Sequence, residues 1–525
     1  MDVRIQRALQ ERRDNERGPG LRIADGPLRF ALTYPSPYHV AMSSLGFLQI
    51  YRLANERPGT RCERATLPEP TWLKRHRDTR TPLLTLESRR PLADFHVIGI
   101  SQSYELEMTG IVELLRLSGL APLSVDRTAR DPLVVLGGPI THSNPLPSAP
   151  FADVVVLGEA EGCLNELLER LEAEPEAARG DGGKRRRLLE DLAARPGFFV
   201  PCEHGRFLPP IAQAPDAMLP AYSTLRTADT ELSNMALIEP ERGCHRGCTF
   251  CVMRRSTNGG MRLVDPDRVM DLVPEDAPKV GLVGAAVTDH PRIKELLRVL
   301  VDEHGKGIGI SSLRADRLDD EFVGLLRRGG YRSMTVALDA PSERLRWEIE
   351  KNIKNDHIRR ATQLGRAHGM HHLKLYVVVG LPGETDADRR ELVDFALELR
   401  RTLPVVLGVS PFVPKYHTPL ADAPFLGAKQ TDRVLKQLER DLSGKVKVRG
   451  PGAREAEVEY RLSQGGFSHA AAAVRAADSG GTLGAWRQAL RDLPERERPD
   501  NFAELVPPPT KRHARKTLPV LARSA

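Results

Sequence analysis

At 525 residues the chain is long enough for two to four domains, and its 40% hydrophobic and 28% charged content is that of a globular protein rather than a fibrous or disordered one. The formal charge of +7 is spread along the sequence rather than gathered into one stripe, which leaves nucleic acid a disfavoured though open partner. No run of about 18 apolar residues occurs, which argues against a membrane span, and the charged start MDVRIQRALQERRDNERG lacks an apolar signal core, so a cytoplasmic protein is expected.

The first third alternates strand-like and helix-like patterns. Apolar runs at Phe30–Thr33, Val97–Ile100, Leu133–Leu136 and Val154–Leu157 read as strands. Between the second and third, Glu105–Leu117 places Met108, Ile111, Val112 and Leu115 at helical spacing, and GEAEGCLNELLERLEAE forms a second amphipathic helix. Strands separated by helices imply a doubly wound parallel sheet over residues 22–200, with ligands bound at the carboxyl ends of its strands. The polar stretch PEAARGDGGKRRR reads as a mobile excursion, and the Pro-rich residues 201–232 as a linker.

Residues 233–420 repeat the alternation more regularly. Strands are expected near Met235–Ile238, Val280–Val283, Gly307–Ile310, Met334–Leu338, Leu373–Val379 and Val405–Phe412, with helices at Pro291–Glu303, Leu318–Arg328, Asn355–His368 and Asp386–Arg401. Six β/α units fit a partial parallel barrel whose chemistry sits at the C-terminal strand ends. Residues 421–500 read as a mostly helical accessory region, and 501–525 as a basic, disordered tail.

Six cysteines are sparse for this length, and Cys62, Cys163 and Cys202 stand far apart, which is no disulfide framework. The other three fall in ERGCHRGCTFCVMRR, spaced Cys-x3-Cys-x2-Cys just after the first strand of the middle section. Cys244, Cys248 and Cys251 are placed to ligate three irons of a [4Fe–4S] cube and leave the fourth open. A structural zinc site normally takes four protein ligands, and no second Cys pair follows at finger spacing.

This segment, with Phe250 directly before the third cysteine, resembles the radical S-adenosylmethionine (SAM) motif. The likeness continues in ISSLRADRLDDEF, TVALDAPSERLRWEIEKNI, KLYVVVGLPGETDAD and SPFVPKYHTPL, and in the earlier YPSPYHVAMSSLG, VVLGGP and VVVLGEAEG. Together with EYRLSQGGFSHAAAAVRAADSGGTLGAWRQAL these are similar, over residues 25–490, to a branch carrying a B12-binding-like domain before the barrel. The resemblance implies a [4Fe–4S] cluster on the three cysteines and SAM chelated at the open iron, giving an enzyme that abstracts hydrogen through a 5′-deoxyadenosyl radical.

By the same resemblance Phe250 lies by the adenine, and Gly284 stands where the superfamily often has Gly-Gly-Glu to meet the methionyl amino group, although here no acid follows. Ser312 and Arg314 match positions contacting SAM, with Asp316 or Asp319 the alternative partners of the arginine. Asp339, where related sequences carry Glu, faces the ribose hydroxyls, and Gly380 allows close backbone approach or simply makes a turn. Lys374, Lys415, Tyr416 and His417 are candidate mouth residues, each with an ordinary packing role as the alternative.

Cobalamin remains an open cofactor. His39 occupies the histidine slot of the Asp-x-His-x-x-Gly signature, but the Asp and Gly are missing, and the domain is alternatively a relic that holds substrate. Cys202 with His204 hints at a second metal site, with an ordinary thiol as the alternative. A small molecule, a peptide or an RNA is equally compatible as substrate, and a flavodoxin or ferredoxin is the expected electron donor. With cobalamin, methyl transfer is implied. Methylthiolation of tRNA or protein, and a non-catalytic iron–sulfur scaffold or sensor, are the competing functions.

Overall fold

The computed structural model describes residues 1–18, 26–253, 260–507 and 520–521. It divides the chain into two units, Met1–Ala236 with Arg461–Leu505, and Leu237–Tyr460 with the last residues. The boundaries differ from those that composition suggests. Residues 201–232 are no free linker, since Ala212 bridges to Gly158 and Arg226 to Arg17 within the first unit. The helical C-terminal region is split between the two units. Most of the tail, and Arg254 and Arg255 of the cysteine segment, lie outside the described residues.

The first unit is built on a six-stranded sheet of order β2-β1-β3-β4-β5-β6. Its strands are β1 (Leu28–Tyr34), β2 (Thr60–Thr66), β3 (Val97–Ser101), β4 (Leu133–Gly137), β5 (Val154–Val156) and β6 (Phe198–Phe199). The first five run parallel, and β6 closes the edge antiparallel to β5. Ile98, Leu133, Val134 and Val155 are fully buried, as expected of parallel strands covered on both faces. Helix Met108–Leu117 buries Met108, Ile111, Val112 and Leu115, as their spacing predicts.

Two elements depart from expectation. The supposed excursion after residue 174 forms helices Pro175–Ala178 and Gly182–Ala193, the second started by Asp181 accepting from Lys184 N. β2 escapes a hydrophobic reading because it carries Arg61, Glu63 and Arg64. Arg64 is 1% exposed, yet Nε donates to Glu87 (2.8 Å) and Nη1 and Nη2 to Glu16 (2.8 Å each).

Helix Ser468–Asp478 returns to this unit and packs on Met108–Leu117. Its His469 is fully buried, and burial, only partly opposed by nearby Glu497, lowers its pKa to about 4. A histidine depressed in the folded state contributes stability that is complete above its unfolded pKa near 6.5 and is lost as pH falls through about 4. Denaturant titrations are expected to show the first unit losing about 3 kcal/mol over that range, and His469→Gln removing most of the dependence. An unchanged slope in the variant would place the acid lability elsewhere.

The second unit carries the expected β/α alternation as two parallel arcs. One has order β11-β10-β7, from β7 (Met235–Ile238), β10 (Lys279–Leu282) and β11 (Gly307–Ile310). The other has order β12-β13-β14-β15, from β12 (Ser333–Ala337), β13 (His372–Val379), β14 (Val405–Pro411) and β15 (Lys447–Arg449). A parallel bridge between Leu313 and Val336 joins the arcs, so the six expected strands follow one another in chain order as an open barrel. Leu373, Leu375, Val377 and Val379 point alternately into its core. A short antiparallel pair, β8 (Glu241–Gly243) and β9 (Met261–Val264), brackets the cysteine segment. Among the described residues no helix is long and apolar enough to cross a membrane.

Candidate functional site

The cysteine loop leaves β8 at Gly243, whose φ of +98° suits glycine, and is tied down at several points. Cys244 N donates to Gly260 O (3.1 Å), Thr249 N to Ile349 O (3.0 Å) and Cys251 N to Cys248 O (3.3 Å). Arg246 forks onto Asp289 at 2.9 and 2.5 Å, and Arg317 adds a 2.8 Å bond to the same carboxylate. Burial alone would raise the Asp289 pKa, but the Arg246 bond, its charge and that of Arg314 bring it down to about 2. An ionised, fully buried aspartate thus clamps the loop to the end of β10.

All six cysteines are free. The three loop thiols are largely withdrawn from water, and burial raises their pKa values, that of Cys244 to about 11 and that of Cys251 to about 12. Cys248 is raised as well by burial, against the opposing pull of Lys351. Among the described residues no three His, Cys, Asp or Glu side chains converge on one point where a single ion could sit. A cube asks for something different, one thiolate at each of three separate irons.

Phe250 packs against the cluster of Ala340, Leu345, Ile349, Leu381 and Phe412, and so lies among residues that follow β12, β13 and β14. Gly380, at the end of β13, has φ +82°, and its N–H donates to Glu384 Oε2 (2.7 Å), which supports the turn reading. Arg314 is buried and held by Asp316 (3.0 Å), not by Asp319, which caps its own helix at Phe322 N. Ser312 is half-buried beside it. Asp339 adopts φ +66° and is ion-paired with the buried Lys351, a partner the sequence reading missed. Lys374 instead donates to Tyr376 OH in an exposed pair, and Lys415 pairs with Glu459 at 2.8 Å. Tyr416 and His417 are buried.

No acid follows Gly284 in sequence, but one lies against it from another strand. Glu241, fully buried on β8, accepts from Ala286 N through Oε1 (2.7 Å), while its Oε2 has no hydrogen-bond partner. Burial raises its pKa to about 9. A Cβ on Gly284 would stand 2.2 Å from Oε1, so only glycine lets the carboxyl lie against this strand end. Gly284→Ala is therefore expected to cost about 1–3 kcal/mol in chemical denaturation. Adding Glu241→Ala should cost less than the two single effects summed, because the clash goes with the side chain.

The outlying cysteines do not gather. Cys62 is buried in β2, Cys163 in helix Ala160–Ala173, and Cys202 is exposed on the short helix Pro201–His204. His204 Nδ1 accepts from Val200 N (3.1 Å), and Cys202 Sγ lies 3.7 Å from Glu203 Oε1.

A three-thiol loop at the carboxyl ends of an open parallel barrel, preceded in the sequence by a doubly wound domain, is the arrangement of the radical SAM class of enzyme. The chain belongs to the radical SAM superfamily: residues 238–396 match its family model, and residues 46–201 match the model for the N-terminal region of radical SAM proteins. It is 29% identical over 396 residues to the uncharacterized protein MJ0966 of Methanocaldococcus jannaschii, covering 74% of this chain and 78% of that one. It is 33% identical over 178 residues to the 2-(S-pantetheinyl)-carbapenam-3-carboxylate methyltransferase of Streptantibioticus cattleyicolor, covering 32% of this chain but only 25% of that one. Among solved structures, the radical SAM methyltransferase TsrM from Kitasatospora setae, with cobalamin and a [4Fe–4S] cluster bound, superposes with a TM-score of 0.53 at 17% identity, covering 75% of this chain and 77% of that one. At that identity the likeness concerns the fold.

Proposed function

We propose that the protein binds a [4Fe–4S] cluster through Cys244, Cys248 and Cys251 and cleaves SAM reductively to take a hydrogen atom from an unactivated carbon of its substrate. The observation that carries this reading is the loop itself: three sequestered thiols free of disulfides, spaced Cys-x3-Cys-x2-Cys, beside an aromatic ring at the barrel's strand ends. When bound, cluster and SAM supply one-electron scission of a sulfur–carbon bond, yielding methionine and a 5′-deoxyadenosyl radical.

The protein's own residues bind and orient. Phe250 offers a flat face for the adenine, and the peptide carbonyls around Gly284 and the free oxygen of Glu241 suit the methionyl ammonium. A cation there would let Glu241 ionise, offsetting the burial that otherwise keeps it protonated. Arg314, steadied by Asp316, suits the SAM carboxylate. Asp339, steered by Lys351, suits the ribose hydroxyls. The one-electron donor fits the flavodoxin or ferredoxin class. Methylthiolation is disfavoured, because Cys62, Cys163 and Cys202 lie on separate elements and do not form a second cluster site.

The test is anaerobic incubation of the cluster-loaded chain with SAM and dithionite, following products by chromatography and the reduced cluster by electron paramagnetic resonance. Methionine and 5′-deoxyadenosine in equal amounts, with a cluster spectrum that shifts when SAM is added, are expected. A loaded cluster whose spectrum ignores SAM and which leaves it intact would overturn the reading.

A further inference from the structure

A doubly wound sheet of order 2-1-3-4-5 takes its ligand at the carboxyl ends of its strands, at the switch point between β1 and β3. In the first unit that crevice is spanned by direct bonds. Tyr34, ending β1, hydrogen-bonds Ser103, just past β3, through their hydroxyls at 2.8 Å. Ser36 Oγ donates to Glu107 Oε1 (2.7 Å), while Glu107 Oε2 accepts from the N–H groups of Ser103 (2.8 Å) and Tyr104 (3.1 Å). The following helix approaches so closely that a Cβ on Gly110 would stand 2.1 Å from Pro35 O.

The neighbouring strand ends are closed as well. Ile140 N donates to Gln102 O across β3 and β4 (3.2 Å). Gly158 N, past β5, donates to Thr141 Oγ1 (3.2 Å), and a Cβ on Gly158 would meet Ala212 O at 2.6 Å. Over this floor lies Ser463–His469, returned from the far end of the sequence. The Asn144 amide donates to the carbonyls of Ser463 (3.0 Å) and Gly465 (2.8 Å), and Ser463 Oγ donates to Glu105 Oε1 (2.8 Å). Ser463, Gln464 and His469 are fully buried.

We propose that the first unit takes no corrinoid, because its ligand crevice is bonded shut at the switch point and covered by the chain's own segment Ser463–His469. A corrinoid's nucleotide tail would have to part Tyr34 from Ser103 and Ser36 from Glu107 and strand buried donors of Asn144, each left without water to replace the lost partner. His39 supports the same conclusion. It stands on the short helix Tyr38–Ala41 with Pro37 where an orienting aspartate would be, and its neighbour Tyr38 is fully buried with its hydroxyl donated to Glu16 (2.8 Å). The doubly wound unit then serves as a scaffold, and the enzyme abstracts hydrogen without a cobalt methyl carrier.

The experiment adds excess hydroxocobalamin to the full chain, desalts it, and reads retained corrinoid by visible absorbance. Hydrogen exchange of residues 463–469 is followed in parallel with and without the corrinoid. Neither step depends on whether the cluster cleaves SAM, so this inference and the radical reading fail separately. No retained corrinoid and unchanged exchange are expected, also for Asn144→Ala, in which exchange of the segment should be faster throughout. Retention approaching one corrinoid per chain, in wild type or in Asn144→Ala, would overturn the proposal, as would exchange at 463–469 that rises on adding corrinoid.

Discussion

Cys248→Ala is expected to purify without its iron–sulfur cluster and to form no 5′-deoxyadenosine above buffer controls. In the proposed function each loop thiol serves a different iron, so deleting one would leave the cube held at two corners and open to water at a second. Removing even an outer partner of a metal ligand typically costs 10–100-fold, so loss of a ligand itself should lower cluster content and turnover by at least about 100-fold. The same result is expected of Cys244→Ala and Cys251→Ala. Cys202→Ala is the control, since that thiol is exposed and remote from the loop in sequence. Iron and sulfide analysis beside the cleavage assay separates loss of the cluster from loss of chemistry. A Cys248→Ala protein with full iron content and wild-type turnover would move the cluster to other residues.

Arg64→Met should be the most destabilising change in the first unit, by about 3–5 kcal/mol in chemical denaturation. The guanidinium is 1% exposed between the carboxylates of Glu16 and Glu87, themselves nearly buried, with salt bridges of 2.8 Å to each. Removing it strands two negative charges away from water. Replacing Arg64, Glu16 and Glu87 together by Met, Leu and Leu should recover most of that loss, because a buried ion network exchanged whole for apolar groups often costs little. If Arg64→Met matches wild type, the network does not hold β2 in place.

The same residues show why the sequence was legible in part. β1, β3, β4 and β5 announce themselves because strands covered on both faces are apolar throughout. β2 is covered too, but its charges are neutralised by Glu87, 23 residues along the chain, and by Glu16, 48 residues away, pairings no local pattern contains. Helix Gly182–Ala193 is hidden differently: its buried anchors, Leu188 and Leu192, lie beyond the Gly/Arg-rich PEAARGDGGKRRR that reads as an excursion and contains its first turns. At the site, the three thiols are picked out by their spacing alone. Glu241 is not, since its bond to Ala286 N spans 45 residues and depends on the bare backbone of Gly284. An acidic residue three positions before the first cysteine was the available signal. Likewise Asp339 was legible as an acid at a strand end, but not Lys351, which returns to it from beyond a helix.

The partnership of Asn144 with Ser463 also governs how the protein is made. Those residues are 319 apart in sequence, so on a ribosome adding about 5–20 residues per second the first unit waits about 15–60 s for its own lid. Through that interval the hydrogen bonds of Ser463 to Glu105 and Asn144 are unmade, and the apolar face of helix Met108–Leu117 lacks helix Ser468–Asp478. A nascent chain paused before residue 461 should therefore bind chaperones that trap exposed apolar surface, and release them once synthesis passes residue 505.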